Sequence, residues 1–549
     1  MDSGRRIEIY DTTLRDGTQG EGFNLSLQDK LLIAKKLDEF GVDYIEGGFP
    51  GSNEKDRAFF KEIKPLRLRH AKVSAFGMTR RRGMKAEDDP NMKSLLNAET
   101  PVVTLVGKTS DYQARAVMNV TPEENLEMIA DSVRLMTSAG RKVVYDAEHF
   151  FDTFGSNRDY AVRTLQAAEK AGATVLCLCD TNGGSMPEFV AEAVEFVRTQ
   201  TSATIGIHTH NDAALAVANA LAAVRAGADH AQGTVNGVGE RCGNMDLVPL
   251  VANLRLKYNL DCLQSDSLSY LTDLSRYVYE TANLNLFSGQ PYVGPSAFAH
   301  KGGMHVAAVQ KDVSTYEHVD PASVGNTRRI LVSELSGISN IATKAGVKFN
   351  IENDKAALKN ILERVKTLEN EGYHFEAAEA SFELLLRKEI GRHRSFFNLD
   401  HYRTVVLKSG EGVEAISEAT VKMRVGDVVE HRVAEGDGPV NALDLALRRA
   451  LKPHYPQIDK VHLMDYKVRV INSNDETAAK VRVIIESKRE HADGSKEIFG
   501  TIGVSGNVID ASWQALVDAY EYHLIHVMEE TGAKAPATSA PISEPVGQT

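Results

Sequence analysis

Along the first 260 residues, short β-rich apolar runs alternate with longer segments in which apolar residues recur every three or four positions. The first pattern predicts buried strands and the second amphipathic helices. Strands are expected at Ile7–Tyr10, Tyr44–Gly47, Lys72–Phe76, Val102–Val106, Val143–Asp146, Thr174–Cys179, Thr204–His208 and Ala231–Val235. Helices are expected between them, among others at Leu27–Phe40, Glu123–Thr137, Tyr160–Ala171 and Ala213–Ala226. Thr121-Pro122-Glu123-Glu124 reads as a helix start, with a capping hydroxyl, a proline in the first turn and a capping-box acid. Gly41, Gly140, Gly172 and Gly227 each follow a helical stretch, where a residue able to take positive φ ends it. Eight strand–helix units in about 250 residues fit an α/β fold of the (β/α)8 TIM-barrel type. A doubly wound open sheet would normally begin with a glycine-rich phosphate loop after its first strand, and none is there.

Beyond Asn259 the rhythm changes. Residues 263–286 read as helix, a Gly/His-rich stretch runs from Gly289 to Ala307, and 326–400 are mainly helical, clearest at Lys355–Glu369 and Ala378–Glu389. From Tyr402 strands are expected at Arg403–Lys408, Ala419–Arg424, Val461–Asn472, Lys480–Lys488 and Glu497–Val504, with helices at Ala442–Leu451 and Ala511–Glu529. The expected organisation is a barrel over 1–260, a helical linker subdomain over 261–400 and a separate α+β domain over 401–530. The Ala/Pro/Ser/Thr-rich tail, 531–549, is expected to be disordered.

A chain of 549 residues is too long for one core, which agrees with this division. A net charge of -12 excludes a general nucleic-acid binder, which needs clustered Lys and Arg. The densest basic run, Arg80-Arg81-Arg82, is a solvated loop or a contact for an anionic small molecule, and no role is assigned to Arg80–Gly83. No stretch approaches the ~20 apolar residues that cross a bilayer, and the polar Met1–Arg6 leads straight into a strand, so neither a membrane partner nor a secretory signal is expected. The four cysteines, Cys177, Cys179, Cys242 and Cys262, lack zinc-knuckle spacing, and a reducing cytoplasm is the expected compartment.

In a parallel barrel the reactive groups gather where strands run into loops at the C-terminal face. This sequence places its unusual polar residues there: Asp11-Thr12-Thr13-Leu14-Arg15-Asp16-Gly17, Asp146-Ala147-Glu148-His149, Asp180-Thr181-Asn182, His208-Thr209-His210-Asn211-Asp212 and Asn236 to Asn244. His208 and His210, two apart on an extended chain, point to one side and can chelate. Asp16 is the best oxygen donor, because strand 1 meets the end of the sheet when the barrel closes. Such a mixed N/O set suits Mg2+, Mn2+, Co2+ or Zn2+ without choosing among them. Arg15 is placed to hold a substrate oxygen that gains negative charge. A salt bridge to Glu46 is its competing and compatible role. Glu148 orients a water or an acyl donor, or sits in a rim ion pair. Thr181 binds a carboxylate or caps a turn.

Three of these segments, Asp11 to Gln19, His208 to Asp212 and Gly237 to Asn244, resemble the signatures of the DRE-TIM metallolyase superfamily. Within it they are similar to the Claisen-condensing branch, the 2-isopropylmalate, homocitrate and citramalate synthases. The likeness continues through His300 to His305 and Tyr316 to Gly325, similar to the linker subdomain of that branch, and through Gly436 to Ala442 and Asp510 to Ala515, similar to its regulatory domain. It covers nearly all of residues 5–530.

The resemblance implies that Asp16, His208, His210 and Asn244 bind the divalent metal, that Arg15 polarises a keto oxygen and that Thr181 meets the keto-acid carboxylate. It implies Glu148 near the thioester of acetyl-CoA, and His305 and Tyr316 entering from the linker of a partner subunit in a homodimer, with Tyr316 a candidate for enolate formation. Core packing and a capping hydrogen bond are the alternatives for the last two. Glu46 to Asn53 and Tyr145 to Phe151 look most like the citramalate synthase group, which implies pyruvate as acceptor; 2-ketoisovalerate is the runner-up. The C-terminal domain would then bind isoleucine as effector, with the Gly436-Asp437-Gly438 turn as a contact, or would only dimerise the enzyme. Cys242 departs from the small residue usual at its place and is expected to be a small buried side chain.

Overall fold

The structure is a computed structural model that describes residues 5–263, 267–331, 338–341, 349, 351, 354–471, 479–491 and 496–531. Of the tail expected to be disordered, 531–549, Thr531 ends the last helix and 532–549 lie outside the described residues. The described chain divides into two compact units, one of residues 1–299 and 317–328, the other of 300–316 and 329–549.

In the first unit eight parallel strands close into a barrel: β1 Glu8–Asp11, β2 Tyr44–Gly48, β3 Lys72–Met78, β4 Val102–Lys108, β5 Lys142–Glu148, β6 Val175–Asp180, β7 Thr204–Thr209 and β8 His230–Gly233. Closure pairs β1 with β8, Glu8 opposite His230 and Asp11 opposite Gly233. Strand and helix assignments agree with the hydrophobic pattern to within a few residues; double burial makes β6 apolar up to Asp180, whereas β2 is buried throughout yet carries Glu46. The helix Leu27–Phe40 begins with a capping box, the Ser26 hydroxyl accepting from the Asp29 amide and the Asp29 carboxylate from the Ser26 amide. It ends at Gly41, whose φ of 92° strains any other residue. Thr121 caps the helix Pro122–Ser138 by accepting from the Glu124 amide. Apolar side chains of the helices pack on the outer barrel wall, while Tyr10, Tyr44, Val102, Val144, Val175, Cys177 and Cys179 fill the interior.

The second unit holds the helices Gly303–Lys311, Ile338–Ile341, Lys355–Asn370 and Glu379–Glu389 among its described residues, and then the same arrangement twice: three antiparallel strands followed by a helix. The first set is Asn398–Leu407, Ile416–Val425 and Val428–Gly436 with helix Pro439–Leu451; the second is Val461–Val470, Val481–Glu490 and Lys496–Ser505 with helix Val508–Thr531. One apolar core joins the two sets. The strand Val428–Gly436 escapes the sequence reading because it is an edge strand, with Val428 and Val429 about half exposed and only Glu430 and Ala434 buried. Among the described residues no helix is long and apolar enough to cross a membrane.

Candidate active site

Loops at the C-terminal ends of the barrel strands enclose a cleft of about 360 Å³. Arg15, Asp16, Glu148, Thr181, His208 and His210 all line it. The first loop is held against the last strand by its threonines. Thr13 donates to Asp11 at 2.8 Å and accepts from the Val235 amide at 2.9 Å. Burial pushes the Asp11 carboxyl up to about 7, against the hydrogen bonds from Thr13.

Glu46, fully buried on β2, accepts from Tyr10 at 2.7 Å and from Thr12 and the Arg15 Nε at 2.5 Å each. The Arg15 guanidinium lies 3.8 Å over the Phe76 ring, with Nη1 3.4 Å from Asp16. The salt bridge to Glu46 therefore exists, and it aims Arg15 at the cleft rather than removing it. Glu46 takes Nε and Asp16 lies near Nη1, so N–H donors of Arg15 remain for a ligand in the cleft.

His208 Nε2 stands 3.4 Å from Asp16 Oδ2 and 3.4 Å from His210 Nε2. Donor atoms of the three residues lie within 4.8 Å of one another, all of them buried. Burial would raise the Asp16 carboxyl, but Arg15 and the two imidazoles outweigh it and hold the group below its ordinary value. Burial lowers both imidazoles, His210 to about 4, so they are neutral near pH 7 and offer lone pairs.

The tautomer of His208 is fixed from behind. Its Nδ1 donates to Gln232 Oε1 at 3.0 Å, and Gln232 Nε2 donates to Asp146 Oδ1 at 2.9 Å. With the amide nitrogen toward Asp146, the amide oxygen faces the ring and accepts from Nδ1, which leaves Nε2 unprotonated. Asn244 is bridged to His210 through the backbone, and its buried Oδ1 has no hydrogen-bond partner. One carboxylate, two imidazole nitrogens and an orphaned amide oxygen fit a divalent cation. Gly239 makes room for that amide, since a Cβ there would lie 2.1 Å from Asn244 Nδ2. Replacing Gln232 by leucine frees the tautomer and is expected to weaken divalent-cation binding by about 10–100-fold. Calorimetric titration of the metal-free protein measures this, and unchanged affinity refutes the relay.

Glu148 is paired with Lys108 at 2.6 Å, so its rim ion pair is present inside the cleft. The Thr181 hydroxyl accepts from the His149 amide at 2.8 Å, which leaves its own O–H to donate into the cleft. Arg241 grips both oxygens of Asp212, at 2.8 and 2.9 Å, and the Thr181 carbonyl at 2.7 Å, tying three of the motif loops together. His305 and Tyr316 belong to the second unit, where their rings stack at 4.1 Å; both are exposed.

Two expectations are corrected. Cys242 is exposed rather than a small buried side chain, because it sits at the tip of the loop whose neighbours Gly243 and Asn244 turn inward. Arg80 is no solvated loop residue, since it is buried and paired with Asp131 at 2.8 Å. Lys108 and Gln232 were missed. Lys108 lies two residues past the expected end of its strand, whereas a polar side chain inside β8 was a signal available in the sequence.

A sequence family described as HMGL-like matches residues 6–278, one described as homocitrate synthase post-HMGL domain-like matches 292–373, and the LeuA allosteric (dimerisation) domain matches 376–524. An (R)-citramalate synthase of Geobacter sulfurreducens is 51% identical over 96% of this chain and 99% of its own length. One from Aquifex aeolicus is 48% identical over 96% and 99%. A 2-isopropylmalate synthase of Halalkalibacterium halodurans is 29% identical over 94% and 96%.

Proposed function

The chain belongs to the (R)-citramalate synthase family, and from that premise we propose that it condenses acetyl-CoA with pyruvate and hydrolyses the product thioester, giving (R)-citramalate and CoA. The observation that carries this reading is the convergence of Asp16, His208 and His210 beside Arg15 in one cleft. The greater distance of the 2-isopropylmalate synthase relative favours pyruvate over 2-ketoisovalerate.

Asp16, His208 and His210, with Asn244 as a further donor, would hold a divalent cation, Mg2+ or Mn2+ first among the candidates, that supplies Lewis-acid polarisation of the keto acid. Arg15 donates hydrogen bonds to the keto oxygen as the condensation turns it into an alkoxide. Thr181 donates to the keto-acid carboxylate. Glu148, oriented by Lys108, works beside the acetyl thioester. The stacked pair His305 and Tyr316 takes part in removing the acetyl methyl proton, and the resulting enolate attacks the ketone. Hydrolysis of the thioester then releases CoA.

We assign a cytoplasmic homodimer in which this exposed pair serves the partner's cleft, on the first step of a pyruvate route to isoleucine. Tyr316→Phe is expected to lower kcat by about 100-fold while pyruvate still binds. Steady-state kinetics with a pyruvate binding assay check this, and near-normal turnover removes Tyr316 from the chemistry. The allosteric domain supports feedback by isoleucine, expected to change apparent substrate affinity by about 5–150-fold. Indifference to isoleucine and leucine alike reduces the domain to dimerisation. The test of the activity itself is thiol release from acetyl-CoA with pyruvate and 2-ketoisovalerate in parallel. Preference for pyruvate supports the reading, and release with neither overturns it.

A further inference from the structure

We propose that Cys177, Cys179 and Asp146 form a second cation site, for a thiophilic divalent ion such as cadmium or zinc, on the floor of the active-site cleft. Cys177 and Cys179 are two apart on β6 and so project from the same face of the barrel wall. Asp146 on β5 is the register partner of Cys177, which sets its carboxylate beside both thiols. One ligand atom from each of the three lies within 4.8 Å of the others. The three side chains are 0, 5 and 3% exposed respectively, so water competes little for the donors.

The site is reachable, because Cys179 and Asp146 line the cleft while Cys177 lies beneath them. Its chemistry differs from that of the Asp16–His208–His210 set. Two sulfurs and one oxygen select softer ions than two imidazoles and one oxygen do. The plain alternative is that the thiols are small apolar fillers among Tyr10, Val144 and Val175. That accounts for the two thiols, and the hydrogen bond from Gln232 accounts for one Asp146 oxygen, so metal titration is what separates plain packing from a cation site.

On binding, each thiol gives its proton to solvent, and the freed sulfur lone pairs together with Asp146 coordinate the ion. Cys179 is the register partner of His208, so a dication there lies next to the histidine site and repels the one held by it.

The test is a titration of metal-free, full-length protein with cadmium chloride, followed by calorimetry and by the ultraviolet charge-transfer band of cadmium–thiolate bonds. It is done in a Cys242→Ser background, which removes the exposed thiol. Two cadmium ions per chain are expected, with the band tracking one of them. Cys177→Ser and Cys179→Ser should each abolish the band and weaken that ion at least ~10-fold, leaving the histidine-site ion in place. Cys179→Ser, nearer the cleft, keeps the test open if Cys177→Ser does not fold. A band that survives both substitutions, a band that follows Cys262, or a single ion without a band overturns the proposal.

Discussion

Replacing His208 by alanine is expected to lower kcat by about three orders of magnitude, because the divalent cation proposed for this cluster would, as a Lewis acid, supply several kcal/mol of transition-state stabilisation. The substitution removes the donor central to the cluster, 3.4 Å from both Asp16 and His210. It also strands the Gln232 amide that orients the ring. Cation content after equilibrium dialysis should fall together with turnover, while circular dichroism keeps the barrel's signature. Retained cation with retained activity would separate the cluster from the chemistry altogether.

Arg15→Lys is expected to cost about 100-fold in kcat, the usual effect of removing one donor aimed at a developing oxyanion. Lysine keeps the charge but not the fork, and cannot hold Glu46, face Phe76 and meet a substrate oxygen together. Glu46 also loses a partner in a fully buried place, which costs about 1–3 kcal/mol of stability. Kinetics and thermal melting therefore give two readouts. A lowered melting temperature with unchanged kcat would make Arg15 a structural ion pair, whereas a large loss of kcat at saturating pyruvate supports the proposed role.

Much of the first unit was legible because a barrel strand buried on both faces leaves a short apolar run and its flanking helix leaves a 3.6-residue period. The polar clusters at strand ends were legible for a related reason, since Asp16, His208 and His210 lie in polar runs that directly follow short apolar strands. Lys108 was lost to a strand end set two residues early, and the strand Val428–Gly436 to its exposed valines. The depth of Cys242 was misjudged because a loop carries no period that tells an inward residue from an outward one.

The sequence by itself determined the eight-fold alternation, the α+β character of the C-terminal region, and which residues had the chemistry to bind a cation or an oxyanion. Only the tertiary structure decided how those groups act on one another. Asp16 meets His208 because β1 closes against β8, and the His208 tautomer depends on Gln232 from β8 and Asp146 from β5. Glu148 finds Lys108 across the β4–β5 pairing, and Cys177 finds Asp146 across β5–β6. The physical reason is common to all of them. Periodicity is a local property of the chain, whereas hydrogen bonds and Coulomb interactions depend on distances that closing the sheet fixes between residues far apart in sequence.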